Sequence, residues 1–68
     1  MTVGTKVKTA LSNLKSVQAD FESFALETQD KDAKKLWADA ARQTRQVLER
    51  VEQRVREMER EEPEYRGY

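Results

Sequence analysis

The sequence contains no cysteine and no histidine. Their absence excludes a disulfide framework, a thiolate or imidazole metal site, a cysteine nucleophile and any histidine acid–base pair. Isoleucine is also missing. There is one proline, Pro63, and there are two glycines, Gly4 and Gly67. The glycines stand at opposite ends, which leaves no glycine-rich loop to cradle a phosphate. Between Gly4 and Pro63 run 58 residues without a helix breaker. No stretch approaches the ~18 consecutive apolar residues of a membrane span, so no membrane insertion is expected. The opening Met1-Thr2-Val3-Gly4-Thr5-Lys6 has no apolar segment behind its charge. It does not read as a secretory signal, and a cytoplasmic location is the expectation. An excess of one charge sign is lacking too, with 13 basic against 13 acidic residues. Nucleic acid and anionic membrane both select for a single-sign field, so neither is the first expectation.

What remains is a chain of 68 residues, enough for one domain. A chain of this size buries only about 60% of its unfolded surface. Leu, Val and Phe together number thirteen. That is close to the composition of disordered chains, but disorder also wants a large net charge.

The apolar residues recur at helical spacing. In the first segment Val7, Ala10, Leu14, Val17, Phe21 and Phe24 follow in steps of three and four, with Leu11 and Ala25 beside them. Helix 1 is expected over residues 3–28, with Thr2 or Thr5 at its N-cap. Leu26 falls off the face. The polar stretch Thr28-Gln29-Asp30-Lys31-Asp32 predicts a turn at 29–31. Asp30 is the favoured N-cap of the next helix, with Asp32 in its first turn, and Asp32 as the cap itself is a close alternative. The second segment repeats the pattern with Ala33, Trp37, Ala40, Thr44, Val47, Val51 and Met58, flanked by Leu36, Ala41, Leu48 and Val55. Helix 2 is expected over 31–61, ending before Pro63, since the residue before proline avoids the helical region. Residues 62–68 form a tail.

A short connection makes the helices antiparallel neighbours. Charge agrees. Each helix is basic at its start (Lys6 and Lys8; Lys31, Lys34 and Lys35). Each is acidic at its end (Asp20, Glu22 and Glu27; Glu57, Glu59, Glu61 and Glu62). Antiparallel pairing sets each acidic end beside a basic one. The fold class is therefore all-α, an antiparallel two-helix hairpin. The apolar stripes are wider than one seam needs, and a lone hairpin would leave an apolar face in water. The simplest closure is a homodimer forming a four-helix bundle. Candidate core and dimer residues are Val7, Leu11, Leu14, Val17, Phe21 and Phe24 on helix 1. On helix 2 they are Leu36, Trp37, Ala40, Thr44, Val47, Leu48, Val51, Val55 and Met58. Trp37 is the first choice for an interface anchor.

Carboxylates are the only candidate catalytic groups. Glu49 and Glu52, and Glu59 and Glu62, are three apart, yet a di-metal bundle also needs histidines. A solvated face explains them, so no catalytic, metal or cofactor residue is assigned. Arg42, Arg45, Arg50, Arg54, Arg56 and Arg60 are interleaved with acids, as on a salt-bridged exposed helix. The alternative is a nucleic-acid face built on Arg42, Arg45 and Arg50. Thr44, polar at a core position, is expected to bond back to the carbonyl of Ala40 or Ala41. The tail Pro63-Glu64-Tyr65-Arg66-Gly67-Tyr68 reads as a frayed end or as a docking peptide presenting Tyr65 and Tyr68.

An ordered set of segments spans the chain. Met1-Thr2-Val3-Gly4 precedes Val7-Lys8-Thr9-Ala10-Leu11. Phe24-Ala25-Leu26-Glu27-Thr28-Gln29, Ala33-Lys34-Lys35-Leu36, Ala40-Ala41 with Gln43-Thr44, and Glu61-Glu62-Pro63-Glu64-Tyr65 follow. This set resembles the Domain of Unknown Function family 1657 of endospore-forming Firmicutes. The resemblance carries over no catalytic residue. The resemblance implies a context beside stage-V spore proteins that move dipicolinic acid across the spore inner membrane. From that context follow a role in spore resistance or germination, a spore-membrane protein partner, and a location in the forespore or spore core.

Overall fold

A computed structural model describes residues 3–61 of the chain. It contains two helices, α1 (Val3–Glu27) and α2 (Lys31–Glu61), packed against each other, with no strand among the described residues. Thr2, Tyr65 and Tyr68, with the capping and docking roles considered for them, lie outside the described residues. Thr5 lies within α1 and is not its cap. Its carbonyl accepts a hydrogen bond from Thr9 Oγ1 at 3.0 Å.

The turn is built as its residues dictate. Asp30 Oδ2 accepts from the Ala33 amide at 2.8 Å, and the Asp30 carbonyl accepts from the Lys34 amide at 2.9 Å. One residue thus satisfies an orphan amide and opens the helical ladder, which is the N-cap geometry. Asp32 follows in the first turn, where its charge suits the dipole. On the other side of the turn, α1 has no basic residue in its last turn. Lys34 of α2 supplies one, donating from Nζ to the Ala25 carbonyl. This caps an otherwise unsatisfied carbonyl and places a cation at the negative end of α1.

The seam follows a seven-residue repeat. In α2 the buried residues are Ala41, Leu48 and Val55. In α1 they are Gly4 and Leu11, with Gln18 and Ala25 half-buried at the same spacing. The neighbouring row Val7, Leu14, Phe21 and Thr28 is also half-buried. Two rows at alternating steps of three and four form the 3.5-residue period of a coiled-coil seam. Leu11, Leu48 and Val55 form the core cluster, with Val7 and Leu14 packed against it. The buried line is displaced from the expected centre. Leu11, Ala41, Leu48 and Val55, placed at the flank of the stripes by the sequence, lie deepest. A seam of two helices accommodates two rows per helix, and the stripes offer three.

Charge lines one edge of the seam. Lys8 Nζ is 3.5 Å from Glu59 Oε2, and Lys15 Nζ is 3.4 Å from Glu52 Oε2. These pairs, one rung of seven residues apart on each helix, show the antiparallel alignment directly. Within α2, Arg42 pairs with Asp39 and Arg54 with Glu57, both at 3.1 Å. Glu52 therefore faces Lys15 across the seam instead of Arg56 along its own helix, and Glu57 turns to Arg54 instead of Arg60. Thr44 Oγ1 donates to the Ala40 carbonyl at 2.7 Å, which satisfies a hydroxyl inside an apolar seam without a partner helix.

The particle measures 47 × 19 × 11 Å. Its thickness is that of one helix with side chains. The radius of gyration is 15.1 Å, against roughly 11 Å for a compact chain of this length. The hairpin is a single layer, whereas a stable core normally lies between two. Among the described residues no side chain falls below 2% exposure.

Candidate functional site

The edge opposite the Lys–Glu pairs is apolar. On α1 the row Val3, Ala10, Val17 and Phe24 recurs every seven residues beside the seam row Val7, Leu14 and Phe21. On α2 the row Ala33, Ala40 and Val47 does the same beside Trp37, Thr44, Val51 and Met58. In an antiparallel pair these rows fall on the same side, just as Lys8 and Lys15 fall beside Glu59 and Glu52. The large apolar side chains left in solvent lie mostly here. Val17 is 39% exposed, Phe24 41% and Val47 49%, and Val3 and Val51 are exposed as well. Leu36, 59% exposed, stands further round α2.

Near the turn this face carries an aromatic cluster. Phe21 stacks on Trp37 with ring centres 5.7 Å apart and planes at 17°. Phe24 meets Trp37 edge-on at 5.3 Å and 68°, and meets Phe21 at 6.4 Å and 69°. Trp37 spans the seam, and such pairs contribute about 0.5–1.5 kcal/mol each beyond area burial. At the far end the face dips into a concavity of about 450 Å³ lined by Val7, Val47, Val51, Val55 and Met58, with Arg50 and Arg54 at its rim.

The candidate residues thus divide into two groups, with Leu36, expected in the core or interface, in neither because it points away from both the seam and the apolar face. Leu11, Leu48 and Val55 lie in the seam, with Val7, Leu14, Phe21, Trp37, Thr44 and Met58 half-buried along it. Val17, Phe24, Val47 and Val51 face outward on one side, with Ala40 half-buried among them. The three arginines of the nucleic-acid alternative do not form one stripe. Arg42 and Arg45 line a groove by the turn, Arg50 lines the concavity on the other side, and Arg42 is paired with Asp39. Among the described residues no group of three or more acidic side chains is arranged to hold a metal ion. Glu52 and Glu59 instead serve as ion-pair rungs at the seam edge. No helix among the described residues is long and apolar enough to cross a membrane.

These features define a small helical hairpin with one charged edge and one apolar edge. A family model described as protein of unknown function (DUF1657) matches residues 7–55, and the chain belongs to that family. The matched segment takes in the turn and the whole core cluster of Leu11, Leu48 and Val55. No curated protein and no solved structure matches the chain.

Proposed function

We propose that the protein is a non-enzymatic interaction module that pairs with a second copy through its apolar face, two hairpins closing into a four-helix bundle. The observation that carries this reading is the exposure of Val17, Phe24, Val47 and Val51 on one side of a particle a single helix thick. A face 47 Å long and 19 Å wide encloses about 900 Å². A standard interface buries about 800 Å² per partner. A two-fold axis lets the same face serve both copies, and the aromatic cluster near the turn supplies a bulky anchor. The sequence resemblance supports including in the proposal a role in spore resistance or germination, beside a spore-membrane protein, in the forespore or spore core.

Sedimentation equilibrium tests the pairing. The expected species is twice the 8.0 kDa chain mass, and Val17→Glu with Val47→Glu shifts it to the monomer. A wild-type chain that stays folded at 8.0 kDa up to millimolar concentration defeats the proposal. Cross-linked pull-down from sporulating cells tests the context. Recovery of a membrane protein supports it, and recovery of the chain alone refutes it.

A further inference from the structure

The side of the hairpin away from the apolar face carries a second surface that neither the seam nor dimerisation uses. Beside the turn, between α1 and α2, lies a groove of about 840 Å³. Its cause is local. The row that holds Leu11 and Leu48 further along the seam is occupied here by Ala25 and Ala41, and Ala38 stands beside them. These methyl groups are too short to fill the space between the helices. Leu26 borders the groove and is 82% exposed, more than any other large apolar side chain among the described residues.

The rim is cationic. Lys31, Lys34, Lys35, Arg42 and Arg45 line the groove, against one acid, Glu22. By the seven-residue register Glu22 and Arg45 form the third rung after Lys8–Glu59 and Lys15–Glu52. Among the described residues they form no ion pair. Lys31, Lys35 and Arg45 likewise have no acidic partner there. The acids of this end, Asp20, Glu27, Asp30, Asp32 and Asp39, do not line the groove, so the cations are gathered at its rim around an apolar floor.

We infer that this groove is a docking site for an acidic amphipathic helix of another protein, which would lie along it as a third helix of the bundle. Charge complementarity identifies the occupant: glutamates or aspartates flanking the seat meet the unpaired Lys31, Lys35 and Arg45, and an apolar stripe meets Leu26 and the alanine floor. The alanines let a third backbone approach closely. The groove follows α2 from Lys31 to Arg45, about 21 Å at 1.5 Å per residue, so the docked segment has about 14 residues. Nucleic acid fits less well, because no aromatic ring lines the groove to stack a base. The site faces away from the dimer surface, so both can be filled together.

The test is an amide-shift NMR titration of the full chain with four probes. These are an 18-residue helical peptide of leucines at i, i+3, i+4 and i+7 with glutamates between them, its lysine counterpart, a 16-nucleotide thymidine strand, and phosphatidylglycerol vesicles. The glutamate peptide is expected to saturate, with shifts centred on Ala25, Leu26, Ala38 and Ala41. Its affinity should fall at least tenfold in Lys35→Glu/Arg45→Glu and in Leu26→Asp, and remain unchanged in Val47→Glu. Circular dichroism verifies that each variant is folded. The proposal is overturned if the lysine peptide binds equally well, or if the shifts centre on Val17 and Val47. It is overturned equally if Leu26→Asp binds like wild type, or if only the oligonucleotide or the vesicles bind.

Discussion

Replacing Leu48 and Leu26 by alanine removes the same three carbon atoms from two sites of opposite environment. Leu48 is 5% exposed and packs with Leu11 and Val55; Leu26 is 82% exposed. At roughly 0.8 kcal/mol per buried methylene, three carbons at Leu48 lose about 2.3 kcal/mol of transfer energy. The seam is open on both sides and can collapse or admit water, so the cavity contribution is small and the total is about 2.5–3 kcal/mol, low in the usual range for such changes. At Leu26 the same arithmetic leaves about 0.4 kcal/mol, which the better helix propensity of alanine nearly cancels. For a domain this small, each kcal/mol moves the melting temperature by about 4–8 °C. Leu48→Ala should therefore melt at least about 10 °C below wild type, and Leu26→Ala within about 3 °C of it. Urea and thermal denaturation followed at 222 nm provide the measurement. The proposed self-association would make the midpoint depend on concentration, so the three proteins are compared at matched concentrations across a dilution series. Equal losses at the two sites, or a loss below about 1 kcal/mol at Leu48, would refute the assigned seam.

Asp30→Ala should cost about 1 kcal/mol by leaving the Ala33 amide unsatisfied, and Asp30→Asn should retain most of that; thermal melts distinguish the two. Lys15→Glu should destabilise by less than about 1 kcal/mol and be rescued by Glu52→Lys, a coupling that a double-mutant cycle at low and high salt would show to be screened. Trp37→Ala should cost about 2–3 kcal/mol, because it removes a half-buried ring and two aromatic contacts, and a loss within 0.5 kcal/mol would show the cluster to be idle. Dilution through the dimer dissociation constant should shift Trp37 emission to longer wavelength as the aromatic cluster meets water; an emission maximum independent of concentration would count against pairing through this face.

Local features of the fold were legible because they depend on neighbours in sequence. The Asp30 cap needs only an amide three residues on, and Thr44 finds its acceptor one turn back on its own helix. The antiparallel alignment was legible in the charge distribution, since Lys8 lies at the start of one helix and Glu59 toward the end of the other; the Lys15–Glu52 rung, nearer mid-helix, was not part of that pattern. Surface pairs were less so. Glu52 could meet Arg56 along the helix or a lysine across it, and only the facing helix brings Lys15 within reach. The groove by the turn was missed because its signal is a lack of volume: Ala25 and Ala41 only flank the apolar stripes and Ala38 lies off them, and whether such residues close a gap or leave one depends on the opposite helix.

The sequence alone determined two breaker-free helices, their junction at Asp30, their antiparallel sense and the excess of apolar surface over what one seam can bury. These follow from periodicity, capping and charge order. Tertiary structure decided which of three adjacent apolar rows went inside. The row with Gly4, Leu11, Ala25, Ala41, Leu48 and Val55 combines small residues that permit close approach with two leucines that fill the middle. The row with Val17, Phe24 and Val47 ends in Arg54 and stays outside. Neighbouring rows lie only tens of degrees apart on a helix, a difference too small for hydrophobic spacing to resolve and large enough to separate a core from an exposed face.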